Sequence, residues 1–309
     1  MSFRQIQQSC KGFTLIELMV SLAIGLFLIA GVFSVYINGK ESQRAVDDQV
    51  MMIDNARFAI ETISADLRQA GIWGRVKNDP TRVSGANLAA GSECVAGWTT
   101  NINRPFFVFD DLDPYGPPCI NQYGFGDVVE MRYTLRDPIV PPGSVLQADE
   151  IYVNSDVNSA TFFAGNASPN ISVAAADYPY VARAYYLSAD GDTIGDGVRS
   201  LHRISLQPGP VVVDDLMLAG VDDLQIQIGL DTQPTGNLDG LVDTYVNPTN
   251  VVDWSAARSV QIWVVVRSER TYPNIQPFSA NIAGNVKNYP DDGFRRVVAS
   301  SVVYLRNIR

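Results

Sequence analysis

The chain of 309 residues has one histidine, three cysteines and fewer basic than acidic side chains, 23 Lys and Arg against 33 Asp and Glu. Each shortage removes a class of function. The single histidine, His202, cannot build a Cys/His zinc site, and in a strand-like run beside Arg203 it reads as a structural or half-exposed residue rather than a general base. There is no G-x-S-x-G nucleophile elbow and no Walker loop. No cofactor is expected, and the protein is expected not to be an enzyme. A basic stripe interleaved with aromatics is also missing, so direct nucleic-acid binding is not expected. No proline occurs before Pro80, and neither an internal repeat nor a long linker interrupts the chain.

What is present is an apolar run from Phe13 to Ile37, broken only by Glu17 and a few small hydroxyl residues. At helical rise it is long enough to cross a bilayer with some tilt. The head MSFRQIQQSCKG carries Arg4 and Lys11 and no acid. Positive charge holds that end in the cytoplasm and sends the remainder outward, so the topology is a single pass with the N-terminus inside. An ordinary secretory signal puts its cleavable small residue after the apolar core, whereas Gly12 lies ahead of it. Cutting there would remove the head and keep the helix. Cys10 does not mark a lipoprotein, because no apolar stretch precedes it.

Glu17 is the costly residue of this run. An ionised carboxylate in a membrane helix costs about 2.5–3.5 kcal/mol on insertion scales, so it calls for a partner and a function. No basic side chain lies near it on the run. The alternative is a solvated carboxylate at headgroup depth.

Beyond the membrane, Val46, Val50, Ile53, Ile60, Ile63, Leu67 and Ala70 recur at helical spacing and predict an amphipathic stem that ends near Ala70, with Gly71 as terminator. Gly25, Gly31 and the Asn38-Gly39 pair are weak points, each glycine costing about 1 kcal/mol relative to alanine. After Gly74 the composition turns to Gly, Pro, Asn and Asp between short β-branched and aromatic runs. Strands are predicted over 128–135, 150–154, 180–187, 201–206, 223–228, 260–267 and 297–305. The organisation expected is a head of residues 1–12, a membrane helix 13–37, a helical stem 38–71 and a β-rich domain 72–309. The fold class is α+β, a long helix packed on a large antiparallel β-sheet domain.

Two features of the β-rich domain invite chemistry. Cys94 and Cys119 form an even pair in a compartment that permits oxidation, and a disulfide between them is expected, two free buried thiols being the alternative. The Asp- and Gly-rich stretches Ala189 to Gly197 and Asp231 to Asp243 match no EF-hand spacing. They read as tight turns, with Asp239 and Asp243 the better candidates for calcium, a weak metal signal.

The sequence G-F-T-L-I-E at Gly12 to Glu17, followed by this apolar run, resembles the class III leader junction of type IV pilins and pseudopilins. The stretches NARFAIETISADLRQAGIWG (Asn55 to Gly74), GVDDLQIQIGLDT (Gly220 to Thr232), SVQIWVVVRSER (Ser259 to Arg270) and VVYLRN (Val302 to Asn307) resemble one minor-pilin family, PilW. Residues 78–118 match no pattern of that family. The resemblance implies cleavage between Gly12 and Phe13 by a prepilin peptidase, N-methylation of Phe13, and an assembly role for Glu17. Cleavage would turn the Phe13 amide into an ammonium that can pair with Glu17 of a neighbouring helix. The implied partners are the prepilin peptidase, the inner-membrane pilus assembly platform, other minor pilins and the major pilin. The implied setting is the membrane, with the C-terminal domain in the periplasm, and then the pilus at the cell surface. The implied function is initiation or assembly of type IV pili, serving adhesion, twitching motility or DNA uptake. A minor pseudopilin of type II secretion and a pilus-tip adhesin are the alternatives.

Overall fold

The computed structural model describes residues 12–76, 82–85, 98–99, 101, 103–117, 119–120, 122–139, 145–167, 174–209, 211–232 and 239–308. The chain divides into two compact units, Met1–Val50 and Met51–Arg309. The helix α1 runs Leu15–Leu67, and the glycines at 25, 31 and 39 do not break it. Its backbone ladder is continuous, so the loss of propensity at each glycine is absorbed.

In the first unit the helix exposes its large apolar side chains from Phe13 to Ile37 on every face. It is the one helix among the described residues that is long and apolar enough to cross a membrane.

The second unit contains the β-strands β1 (Val83–Gly85), β2 (Phe106–Phe109), β3 (Val128–Thr134), β4 (Ile151–Ser155), β5 (Ala160–Ala164), β6 (Ala176–Ser188), β7 (Ser200–Gln207), β8 (Val211–Ala219), β9 (Val221–Leu230), β10 (Thr244–Val246), β11 (Ala257–Thr271), β12 (Ser279–Ile282), β13 (Asn285–Asn288) and β14 (Phe294–Tyr304). The long strand β6 joins two parts of an eight-stranded sheet, pairing with β4 by its first half and with β3 and β7 by its second. A four-stranded antiparallel sheet has the order β10-β9-β11-β14, and β12 and β13 form a hairpin. The pairing of β1 with β5 is parallel; every other strand pair among the described residues is antiparallel.

All seven predicted strands are present, most of them longer than expected. Alternation places Val129, Met131 and Tyr133 of β3 and Tyr185 and Leu187 of β6 on one face of the eight-stranded sheet. The same core takes Leu224, Ile226 and Ile228 of β9 and Val260, Ile262 and Val264 of β11. Helix residues Met52, Ala56, Ala59, Ile60, Ile63 and Leu67 belong to it too. The other face of the eight-stranded sheet builds a second core around Trp73, Phe162, Tyr180 and Tyr186.

The predicted stem stripe needs correction in its first half. Val46, Val50 and Ile53 are exposed, while Met52, Ala56 and Ala59 are buried with Ile60, Ile63, Leu67 and Ala70. Alanine on the buried face carries little hydrophobic signal in a sequence, yet its small side chain lets a helix approach its neighbours closely. The regular helix ends at Leu67 and tightens into a last turn in which the Ala70 amide bonds to both the Asp66 and Leu67 carbonyls. Gly71 then adopts the left-handed conformation expected of a terminator, and its N–H donates to the Arg132 carbonyl.

One buried carboxylate fastens the end of the helix. Asp66 accepts hydrogen bonds from the Tyr133 and Tyr185 hydroxyls, both at 2.7 Å, and from Arg183 Nη1 at 3.0 and 3.1 Å. The partners stand on the helix-facing side of the adjacent strands β3 and β6. Burial, reinforced by the Asp66 charge, pushes both phenols well above their ordinary pKa.

Asp66→Ala should lower stability by about 3 kcal/mol, because it leaves two buried hydroxyls and a half-buried guanidinium without their acceptor. Thermal unfolding of the full chain in detergent measures this. The phenols have raised folded pKa values, so their contribution is complete below about pH 10, the ordinary tyrosine value, and is lost as pH rises through the folded values. Unfolding scans taken above pH 10 should therefore show falling stability.

Candidate assembly site at the head of the helix

The residues singled out by the sequence at the cleavage junction lie in the first compact unit. Gly12 and Phe13 are exposed and lie ahead of the helix, and Phe13 keeps 87% of its surface accessible. Among the described residues nothing lies within 4 Å of a side chain built at Gly12. The Gly12–Phe13 bond thus lies outside the helical turns.

Glu17 is bonded within its own chain. Its Oε2 accepts the Thr14 N–H at 2.9 Å and the Thr14 hydroxyl at 2.9 Å, while the Thr14 hydroxyl accepts the Glu17 N–H at 3.4 Å. Thr14 is the residue before the first helical position, Leu15, and Glu17 is the third residue of the helix. This is a capping box, in which side chains at both positions satisfy amides that the helix itself leaves unpaired. The Glu17 carboxylate also lies at the positive end of the helix dipole. Reading the acid only as a charge needing a cation misses this role; the T-x-x-E spacing ahead of an apolar run was the signal for it. One residue before the bonded Thr14 amide is the Phe13 nitrogen. Cleavage would place an ammonium within a residue of the carboxylate's existing donors.

The remaining candidates lie elsewhere. Cys119 is buried in the second core, and Cys94 lies outside the described residues. Asp239 accepts the Leu241 N–H at 2.8 Å, and Asp243 accepts the Thr232 N–H at 2.7 Å. In the other loop Asp190 accepts from the Gly195 and Gly197 amides, and Asp196 from those of Gly191 and Val198. These amides hold the Asp196 carboxyl below its ordinary pKa. Among the described residues no group of three or more His, Cys, Asp or Glu side chains is arranged to hold a metal ion. His202 joins a strand network, its Nδ1 lying 3.1 Å from Asp214, which also accepts the Tyr186 hydroxyl at 2.6 Å.

Two sequence families match the chain. The one described as Type IV Pilus-assembly protein W matches residues 184–307, and the prokaryotic N-terminal methylation motif matches residues 7–33. No curated protein matches. Among solved structures the chain is similar to a type IV-like pilin from Thermus thermophilus, at 10% identity and a TM-score of 0.36, over 86% of this chain and 97% of that one.

Thr14→Val removes the cap hydroxyl and should destabilise the first turn by about 1 kcal/mol. Hydrogen exchange of the full chain in detergent should show faster exchange at Leu15 to Glu17 and no change at Ile60 to Leu67.

Proposed function

From a chain that belongs to the PilW family of type IV pilus minor pilins, we propose a subunit stored in the inner membrane, released from its head by cleavage between Gly12 and Phe13, and built into the pilus through α1. The observation that carries this reading is the capped carboxylate of Glu17 at the start of an apolar helix, one turn from the cleavage junction. A prepilin peptidase would cut the junction, and the new Phe13 amine would be methylated. The resulting ammonium pairs with Glu17 of a neighbouring helix in the filament, where the low dielectric strengthens the pair and the loss of either charge is costly.

The protein works by assembly rather than turnover. Its partners are the prepilin peptidase, the inner-membrane assembly platform, other minor pilins and the major pilin. The β-rich domain faces the periplasm before assembly and the cell surface afterwards. Adhesion, twitching motility and DNA uptake would follow from the filament. Cys94 and Cys119 are paired in this reading, a cross-link worth about 3 kcal/mol in the chain-entropy model.

Glu17→Ala should insert, lose its head normally and fail to support piliation, as counted by electron microscopy of cells and by N-terminal sequencing of the membrane-bound chain. Wild-type piliation by that variant, or a native chain that begins elsewhere than at Phe13, would overturn the mechanism. Mass mapping of the non-reduced protein should recover a peptide linking Cys94 to Cys119, and alkylation of either thiol without reduction would exclude the bond.

A further inference from the structure

Within the second unit, β14 is the outer strand of the four-stranded sheet, and among the described residues no strand pairs with its other side. It is eleven residues long, and its register with β11 is unbroken from Arg296↔Arg267 to Tyr304↔Ser259. An edge of this length offers a row of unpaired amides and carbonyls to another chain, and proteins normally blunt such edges with proline, a bulge or inward charge. β14 has no proline, no bulge over that stretch, and charged side chains only at Arg295 and Arg296 at its beginning.

Alongside this edge runs a groove of about 410 Å³ between β14 and one stripe of the helix. The strand side is made of Ala299, Ser300 and Ser301, whose small side chains permit close backbone approach. The helix side contributes Ile53 and Ile60 as apolar floor, with Ser64, a buried residue whose hydroxyl makes no hydrogen bond among the described residues. Arg57, Glu61 and Arg68 form the exposed rim. None of these three takes part in an ion pair among the described residues, so two guanidinium groups and one carboxylate stand open in a molecule whose acids outnumber its bases.

We propose that this edge and groove receive an extended, acidic segment of another pilus subunit, which adds to β14 as a fifth strand. The inference rests on the pilin reading and adds to it the surface by which the β-rich domain engages its neighbour. Backbone bonds along β14 supply the affinity, and alternate side chains of the added strand fill the groove over Ile53 and Ile60. Its carboxylates meet Arg57 and Arg68, which selects an acidic partner and sets its register.

The test uses the full-length chain in membranes of cells that make the other pilus subunits. Photoreactive benzoylphenylalanine replaces Ser300, whose side chain stands off the sheet and leaves the edge open; the same probe in place of exposed Val286 on β13 is the control. Light should join Ser300, and not Val286, to another pilus subunit, at a segment that mass mapping shows to be extended and to contain Asp or Glu. Arg57→Glu with Arg68→Glu should abolish that adduct, whereas Arg136→Glu should keep it, with unfolding temperatures unchanged in both. An adduct with a second copy of this chain, an adduct at a partner's helix, equal labelling from Val286, or no adduct would each overturn the proposal. Failure here with Glu17→Ala still blocking piliation would leave the pilin reading standing, because the two experiments probe separate units.

Discussion

The end of the helix in the second unit depends on the carboxylate of Asp66. A buried acid is tolerated only when its oxygens are filled with donors, and here two tyrosines and an arginine from neighbouring strands fill them. Hydrophobic contact from Ile60, Ile63 and Leu67 supplies most of the attraction between helix and sheets, but it is not directional. The Asp66 cluster is directional. It fixes rotation and depth of the helix against β3 and β6, and the arrangement of the rest of the core follows.

A comparable device joins the two sheets. Asp127, just ahead of β3, accepts the Ile226 N–H of β9 at 2.6 Å, and its own N–H donates to the Leu224 carbonyl at 2.9 Å. Gly126 beside it has a positive φ, and a side chain there would come within 2.9 Å of that same carbonyl. Close approach of the segment leading into β3 to the other sheet therefore requires glycine at this position. On the far side of the four-stranded sheet, Asp223 accepts from Tyr289 and Lys287, which fastens the β12–β13 hairpin across Val265. Asp66, Asp127 and Asp223 are the polar joints of the fold.

The same economy governs the head of the helix. Glu17 sits where helix geometry leaves amides unpaired and where the dipole favours negative charge, so it is bonded within its own chain before any neighbour arrives. Pairing with an ammonium in a filament would then compete with, or add to, an existing cap. A carboxylate has enough acceptor sites for both, so the proposed pairing would not require the cap to break.

Local chemistry made much of the protein legible in its sequence. The apolar run, the left-handed Gly71 and the seven clear strands depend on composition and period within a few residues. The edge strand β8 escaped because Asp214 and Asp215 interrupt its apolar run, and the short β2, β10 and β12 because they give too few residues for a period. The choice of Met52, Ala56 and Ala59 over Val46 and Val50 as buried helix residues escaped because it is made by what packs against the helix. So too with Asp66, whose neighbours Tyr133, Arg183 and Tyr185 are remote in sequence and adjacent only across paired strands. Sequence alone determined which segments form, because composition and period act within a few residues. Only the tertiary structure decided which strand edge stays open and which carboxylates become joints, because those outcomes depend on contacts between residues far apart in the chain.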